Sequence, residues 1–264
     1  MNFNAKNSAG IANEINFVKK LDGKKVEELN QNFKEMLYLL FDDLKEDDII
    51  ECWKSKYKEK ADIKIRVHDD IKGISIKMGE SNSVHQEHIN SLSNFLLNAG
   101  LSSKNVERLR SYIFGIIDGT QVSAKIYKQK RYKDIIELKN SLADLYIKIC
   151  LIIRFLFRGK ETQIYDADAI IHGTPDDFLW ATKSEIINYL IKYPDGNTVN
   201  VKVGPLFIQC RNRNLKKESN AIYAEEYIQV KWYCINRDLY FITKNRNNQK
   251  KQIQNISSFD NKIQ

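Results

Sequence analysis

Over the first 60 residues apolar side chains recur three or four positions apart, the spacing of one helix face. The pattern predicts helices over residues 8–21, 24–46 and 47–59, with Ser8 as the candidate N-cap of the first. It predicts further helices from about 83 to 98 and through much of 103–157. The longest apolar run, 146–157, is too short to cross a bilayer and contains two cations, so we expect a buried helix there.

Between residues 62 and 78 the apolar period changes from about 3.6 to 2. Ile63, Ile65 and Val67 alternate with polar residues, and so do Ile74, Ile76 and Met78. Alternation predicts two strands, and the link 68–73, with its Asp and Gly residues, predicts the turn between them. If the two apolar triplets share one face of the hairpin, then Asp62, Ser75 and Lys77 converge on the other.

Strands dominate the predictions for the C-terminal third. They cover residues 166–173, 200–214, 225–235 and 239–244, with one helix over 182–193 capped by Thr182 or Ser184. The polar segment 245–264 is predicted to be a mobile tail that follows the folded part of the chain. We therefore predict an α/β fold: a mixed central β-sheet flanked by helices, with a helical N-terminal part and a strand-rich C-terminal part. The predicted division is 1–160, 161–244 and 245–264.

Charge and cysteine usage narrow the class of protein. The formal net charge is +8, which favours a polyanionic partner such as nucleic acid, although many basic proteins bind none. None of the four cysteines forms a CxxC pair, which argues against a zinc ribbon and favours reduced thiols in a cytoplasmic protein. The polar N-terminus lacks the apolar core of a signal peptide, and we expect no membrane association.

The grouping of Asp62 and Lys77 suits phosphodiester hydrolysis. A carboxylate binds a hard cation such as Mg²⁺, which polarises the phosphate and lowers the pKa of a bound water. A neighbouring lysine stabilises charge on the phosphoryl group or orients the nucleophile. A second carboxylate is expected two positions before the lysine, but the sequence has Ser75 there.

The stretch from Ala61-Asp62 to Ser75-Ile76-Lys77 resembles the signature of the PD-(D/E)xK nuclease superfamily, which includes most type II restriction endonucleases. One subgroup of these enzymes has Ser or Thr in the triplet and carries the acid on the following helix. That resemblance points to Glu87, with Glu80 as its competitor. A further outer glutamate is common in the superfamily. The segment 10–14, GIANE, makes Glu14 one candidate, and Glu51 is the other.

The resemblance implies a Mg²⁺-dependent, sequence-specific endonuclease that hydrolyses double-stranded DNA. Asp62 and Glu87 would hold the metal and Lys77 would assist the attacking water. Residues 1–160 would be the catalytic core, and residues 161–244 would complete it and contact DNA. A homodimer is expected on a palindromic site, with a cognate DNA methyltransferase as genomic neighbour.

Base reading is predicted at the end of one strand. Arginine pairs with guanine and asparagine with adenine, which favours Arg211, Asn212, Arg213 and Asn214, with Lys231 on a nearby strand. A polar loop explains residues 211–214 equally well. The basic run 128–133 is typical of phosphate contacts or of a solvated face.

Three alternatives stay open. Gln229-Val230-Lys231 resembles the Gln-x-Lys triplet of some superfamily nucleases, with Asp195 as the upstream acid, although a strand with Val230 and Trp232 packed inside explains it more simply. His85 and His88 are three residues apart and could suggest a metal site, but without a third ligand at proper spacing they are interpreted as surface or helix-end histidines, and His68 as structural. In function, the chain could instead be a non-catalytic nucleic-acid-binding protein, or a related nuclease of repair or phage defence.

Overall fold

The computed structural model describes residues 3–56, 59–79, 82–159, 166–194, 199–210 and 226–246, and side chains from residue 9 onward. Two compact units divide the chain. The first comprises 1–81, 165–186 and 234–264, and the second comprises 82–164 and 187–233. Each unit draws on both halves of the sequence, so the predicted division at residue 160 does not follow the boundary between them.

The helices are α1 (Phe3–Leu21), α2 (Gln31–Leu40), α3 (Ile89–Asn98), α4 (Ser103–Phe114), α5 (Ala124–Lys130), α6 (Tyr132–Leu142), α7 (Leu145–Ile153), α8 (Lys183–Ile191) and α9 (235–246). The strands are β1 (Glu51–Lys54), β2 (Ile63–Val67), β3 (Asp70–Lys77), β4 (Ser83–His88), β5 (Ile116–Ile117), β6 (Thr120–Gln121), β7 (Ala169–Thr174), β8 (Asp177–Thr182), β9 (Lys202–Val203), β10 (Leu206–Cys210) and β11 (Tyr227–Trp232).

The first unit is built on a five-stranded sheet in the order β1-β2-β3-β7-β8. Only the β3–β7 pair is parallel, so the sheet is mixed. The apolar sides of α1 and α2 pack on one face of it, where Phe17 and Phe33 join Ile63, Ile74 and other buried strand residues in one core. The predicted α/β architecture, a mixed sheet with flanking helices, is confirmed.

The β2–β3 hairpin forms where the alternating pattern predicted it. Its turn is shorter than expected, because only His68 and Asp69 separate the register pair Val67 and Asp70. Gly73 therefore lies inside β3 and serves a purpose other than turning. A Cβ atom there would lie 2.3 Å from the Asp166 carbonyl oxygen, so the close approach of the two backbones requires glycine.

Several predicted elements are wrong. The third N-terminal helix contains strand β1, which pairs with β2. The helix expected from residue 83 begins only at Ile89, because residues 83–88 form β4. Residues 239–244 belong to helix α9 rather than to a strand, and Ser8 lies inside α1 instead of capping it. In the two strand cases, pairing with a partner elsewhere in the chain decides the structure, and a local pattern does not contain that information.

The second unit has an antiparallel sheet in the order β4-β11-β10-β9, together with helices α3 to α7. The apolar run 146–157 is a buried helix, as predicted: α7 continues into a wider turn over Arg154–Arg158, and Leu151, Phe155 and Phe157 are fully buried. Among the described residues no helix is both long and apolar enough to cross a membrane. Thr182 caps α8 as predicted, exchanging hydrogen bonds with Glu185.

Candidate active site

Backbone hydrogen bonds fix Asp62 between two strands. Its N–H donates to the carbonyl of Ile74 at 2.8 Å, and its own carbonyl accepts from the N–H of Ser55 at 3.0 Å. Ile63, the next residue, points into the core beneath α1. Because side chains alternate along a strand, Asp62 projects from the opposite face of the sheet.

Three donors from β3 converge on one oxygen of this carboxylate. The Ile76 N–H lies 2.6 Å from Asp62 Oδ2, the Ser75 hydroxyl 3.1 Å, and Lys77 Nζ 3.3 Å. Ser75 is buried, at 1% exposure, whereas the side chains of Asp62 and Lys77 are 24% and 21% exposed. The predicted convergence of Asp62, Ser75 and Lys77 is thus present in the structure, while their catalytic roles stay a prediction.

The arrangement gives the two oxygens of Asp62 different tasks. Oδ2 is occupied by the three donors of β3, which hold the side chain in one orientation. Oδ1 accepts no hydrogen bond from any described residue, and the side chain is partly exposed to solvent. A hard cation approaching from solvent would therefore meet an oriented carboxylate oxygen, with the Lys77 ammonium close by.

The residues present fit one kind of metal site. Among the described residues no three His, Cys, Asp or Glu side chains cluster as a ligand set. Mg²⁺ rarely needs such a set, since it keeps several waters and is commonly bound by one or two carboxylates together with substrate phosphates. Asp62 therefore fits a site that the phosphate of a substrate would complete, rather than a closed protein cage.

Sequence reasoning missed His172. Strand β7 runs parallel to β3, and His172 is the register partner of Lys77, so its side chain lies beside the lysine on the same face. Its Nε2 lies 3.2 Å from the carbonyl oxygen of Gly79, in the turn that follows β3. The sequence predicts a strand over 166–173, but it does not show that this strand pairs with β3, and only that pairing brings His172 to the site.

Glu87 is not where the sequence placed it. It lies in strand β4 of the second unit instead of in the first turn of a helix. Its side chain is fully buried, and both carboxylate oxygens accept hydrogen bonds from Arg154: Oε1 from Nε at 2.9 Å and Oε2 from Nη2 at 2.5 Å. His85 Nε2 lies 3.0 Å from Oε1. A carboxylate enclosed in this way stabilises the packing of the second unit, so the metal site proposed below does not include Glu87.

The surroundings of Glu87 keep it ionised. Burial by itself raises the pKa of a carboxyl group, but the hydrogen bonds and charges of His85 and Arg154 outweigh it and lower the pKa of Glu87 to about 2. The Arg154 guanidinium also lies 4.3 Å from the ring centre of Phe95. His85 is buried within β4, contrary to the prediction of a surface or helix-end histidine, whereas His88 matches that prediction as the N-cap of α3.

Neither predicted outer glutamate reaches Asp62. Glu14 binds Lys54 at 2.9 Å, and Lys54 is the register partner of Ile63, which places this pair on the face opposite Asp62. Glu51 binds Arg66, whose position is four residues along β2 from Asp62, a separation of about 13 Å. Glu80, the competitor of Glu87, lies outside the described residues.

The rival centre is part of a packed sheet. Gln229 bonds the hydroxyl of Ser83 at 3.0 Å, and Val230 and Trp232 are buried as the simpler interpretation predicted. Lys231 lies 5.7 Å from the ring centre of Tyr233. Asp195 and the predicted base readers, Arg211, Asn212, Arg213 and Asn214, lie outside the described residues. His68 bonds Asp48 at 2.9 Å beside the hairpin turn, in keeping with a structural role.

One solved structure has a similar fold. The protein is similar to restriction endonuclease MspI, in a crystal structure with its cognate DNA, over 88% of this chain and 93% of that one, with a TM-score of 0.58. The fold is similar to that of a restriction endonuclease. The two sequences are only 14% identical, so the likeness concerns the fold alone. No protein-family model and no curated protein matches the sequence.

Proposed function

We propose that the chain is a Mg²⁺-dependent endonuclease that hydrolyses phosphodiester bonds in double-stranded DNA. The observation that carries the proposal is the set of three β3 donors on Asp62 Oδ2, which leaves Oδ1 of this partly exposed carboxylate without a hydrogen-bond donor among the described residues. The fold supports it, since a restriction endonuclease has a similar one and the matching structure was solved with cognate DNA. The surplus of positive charge suits the same substrate.

Each residue of the site has a defined task in this proposal. Bound Mg²⁺ would supply a Lewis acid on the phosphate and a more acidic water. Asp62 Oδ1 would hold the cation, and Ser75 and the Ile76 N–H would keep that carboxylate oriented. Lys77 would lie against the phosphoryl oxygens, where charge develops during in-line attack, and stabilise that charge. His172 would fix the turn at Gly79 that follows Lys77.

The finer form of the proposal is a site-specific enzyme of type II restriction type. It would act as a homodimer on a palindromic sequence, since two-fold symmetry in the protein then matches that of the site. A DNA methyltransferase encoded beside it would protect the host sequence. A nuclease of repair or phage defence would share the active site and lack this sequence preference.

Digestion of several unrelated plasmids tests both forms. The proposal predicts cleavage with Mg²⁺ and none with EDTA, and its finer form predicts discrete fragments whose sequenced ends share one motif. A smear with Mg²⁺ would keep the nuclease and refute site specificity. Intact plasmids with every divalent metal tried, despite measurable DNA binding, would contradict the proposal and favour a non-catalytic binding protein.

A further inference from the structure

A cluster of cations lies on the surface of the second unit. The basic segment, residues 123–133, covers α5 and the start of α6 and carries Lys125, Lys128, Lys130, Arg131 and Lys133. Buried Tyr127 anchors its helix to the core of the unit. The backbone that presents these cations is therefore held by packing.

Three of these cations have no counter-charge among the residues that the structure describes. Lys125, Lys130 and Lys133 are exposed, and none forms an ion pair with a described residue. Lys128 donates to Asn200 at 2.6 Å, and Arg131 binds Asp118 at 2.6 Å. In the first unit, by comparison, several lysines of the α1–α2 region and of β1–β3 are bound to carboxylates. The three lysines without an ion pair thus lie close together in the sequence, on α5 and the start of α6.

A small β-hairpin adjoins the basic segment. Strands β5 and β6 are joined by Asp118 and Gly119, whose φ angles are 48° and 79°. Asp118 accepts the hydrogen bond from Arg131, and the Gln121 amide donates to the carbonyl of Phe114 at 3.2 Å. The hairpin is therefore hydrogen-bonded both to the basic segment and to the end of α4, and Thr120, the first residue of β6, is exposed next to the turn.

We propose that the basic segment and the β5–β6 hairpin together form a surface that binds duplex DNA. Lys125, Lys130 and Lys133 contact phosphates, and the hairpin tip faces a groove, since a two-stranded ribbon has the dimensions of the major groove of B-DNA. The inference rests on the proposed function for the identity of the polyanion. It assigns this task to described residues of the second unit, separate from the predicted base readers at 211–214.

Charge neutralisation has a measurable signature. A lysine that neutralises a phosphate releases a counterion, so each such contact contributes about 0.9 to the slope of log affinity against log salt. Loss of three contacts reduces the slope by about 3 and lowers affinity roughly 100-fold or more near 0.1 M salt. A solvated face that never meets DNA would show neither change.

The test is binding of the full-length protein to a labelled duplex of about 25 base pairs, in EDTA so that no cleavage intervenes. The variant combines Lys125→Ala, Lys130→Ala and Lys133→Ala. The control combines Lys19→Ala, Lys45→Ala and Lys244→Ala, three exposed lysines of the first unit that also lack an ion pair with described residues, so both proteins lose the same charge. We expect the first to show the affinity and slope changes above and the second to bind within about threefold of wild type.

Equal losses in the two triple variants would overturn the proposal, because they would show an effect of net charge alone. Absence of duplex binding in the wild type, or a preference for anionic phospholipid vesicles over DNA, would overturn it too. Thr120→Asp tests the hairpin separately, with Thr174→Asp, an exposed threonine of the first unit, as its control. Wild-type affinity in Thr120→Asp would refute the hairpin's part. DNA binding that depends on the basic segment, without any cleavage in Mg²⁺, would refute the proposed function and leave this inference standing.

Discussion

Glu87 offers a sharp test of the structure, because the sequence and the structure assign it different tasks. As an active-site ligand, its loss would abolish cleavage with little effect on folding. As the buried partner of Arg154, its loss leaves a guanidinium that is 9% exposed without its counter-charge. Breaking such a pair by removing one partner costs about 3–5 kcal/mol. The lowered pKa of Glu87, about 2 against an ordinary 4.5, agrees with that scale, since it corresponds to about 3 kcal/mol.

Urea denaturation of Glu87→Ala measures this cost directly. The control is Glu226→Ala, since Glu226 is 53% exposed and its pair with His88 at 2.8 Å should contribute less than about 1 kcal/mol. A double variant, Glu87→Leu with Arg154→Met, should recover much of the loss, because an apolar pair of similar volume removes the uncompensated charge. If Glu87→Ala unfolds within about 1 kcal/mol of wild type and fails to cleave DNA, the structural assignment is wrong.

Three further results are expected. Because the folded-state pKa of Glu87 lies below its ordinary value, its contribution to stability is present above about pH 4.5 and is lost as pH falls towards about 2. Over that window wild type should lose about 3 kcal/mol more than Glu87→Gln in urea titrations, and parallel losses would contradict the assignment. Gly73→Ala should lower the free energy of unfolding by at least about 2 kcal/mol, since the added Cβ would meet the Asp166 carbonyl. Gly10→Ala should raise the free energy of unfolding by about 0.5–1 kcal/mol, since a Cβ added there has no other atom within 4 Å. Ser75→Ala should lower the free energy of unfolding by about 1 kcal/mol and slow single-turnover cleavage only several-fold, because the Ile76 N–H and Lys77 still hold Asp62. A loss of cleavage as complete as in Asp62→Ala would give Ser75 a direct catalytic role.

The sequence was sufficient to predict that Asp62 and Lys77 lie on the same face of the β2–β3 hairpin. The alternation of Ile63, Ile65 and Val67 with the second triplet at 74–78 determined which face Asp62 and Lys77 share, because a hairpin brings neighbouring segments together with few possible registers. Helices α1 and α7 were also visible in their apolar spacing, and α2 forms only the middle part, Gln31–Leu40, of the helix predicted over 24–46.

The predictions that failed depend on contacts between distant parts of the chain. Strand β4 pairs with β11, so that Glu87 lies opposite Ile228, and Arg154 reaches Glu87 from 67 residues away. His172 comes to Lys77 by a parallel pairing across nearly a hundred residues. The sequence carries apolar patterns for each element but does not specify its partner, so Glu87 was given a helix and His172 no role.

Single-turnover DNA cleavage by Lys77→Ala in Mg²⁺ tests most directly whether the Asp62–Lys77 pair is a phosphodiesterase centre. Lys72→Ala is the matched control, since Lys72 lies on the same strand and pairs with Asp70 at 2.8 Å. We predict that Lys77→Ala cleaves slower than wild type by about two orders of magnitude or more, while its melting temperature stays within a few degrees and DNA binding persists. Lys72→Ala should cleave normally. If Lys77→Ala cleaves as fast as wild type, the hairpin is only a structural element and the proposed active site is wrong.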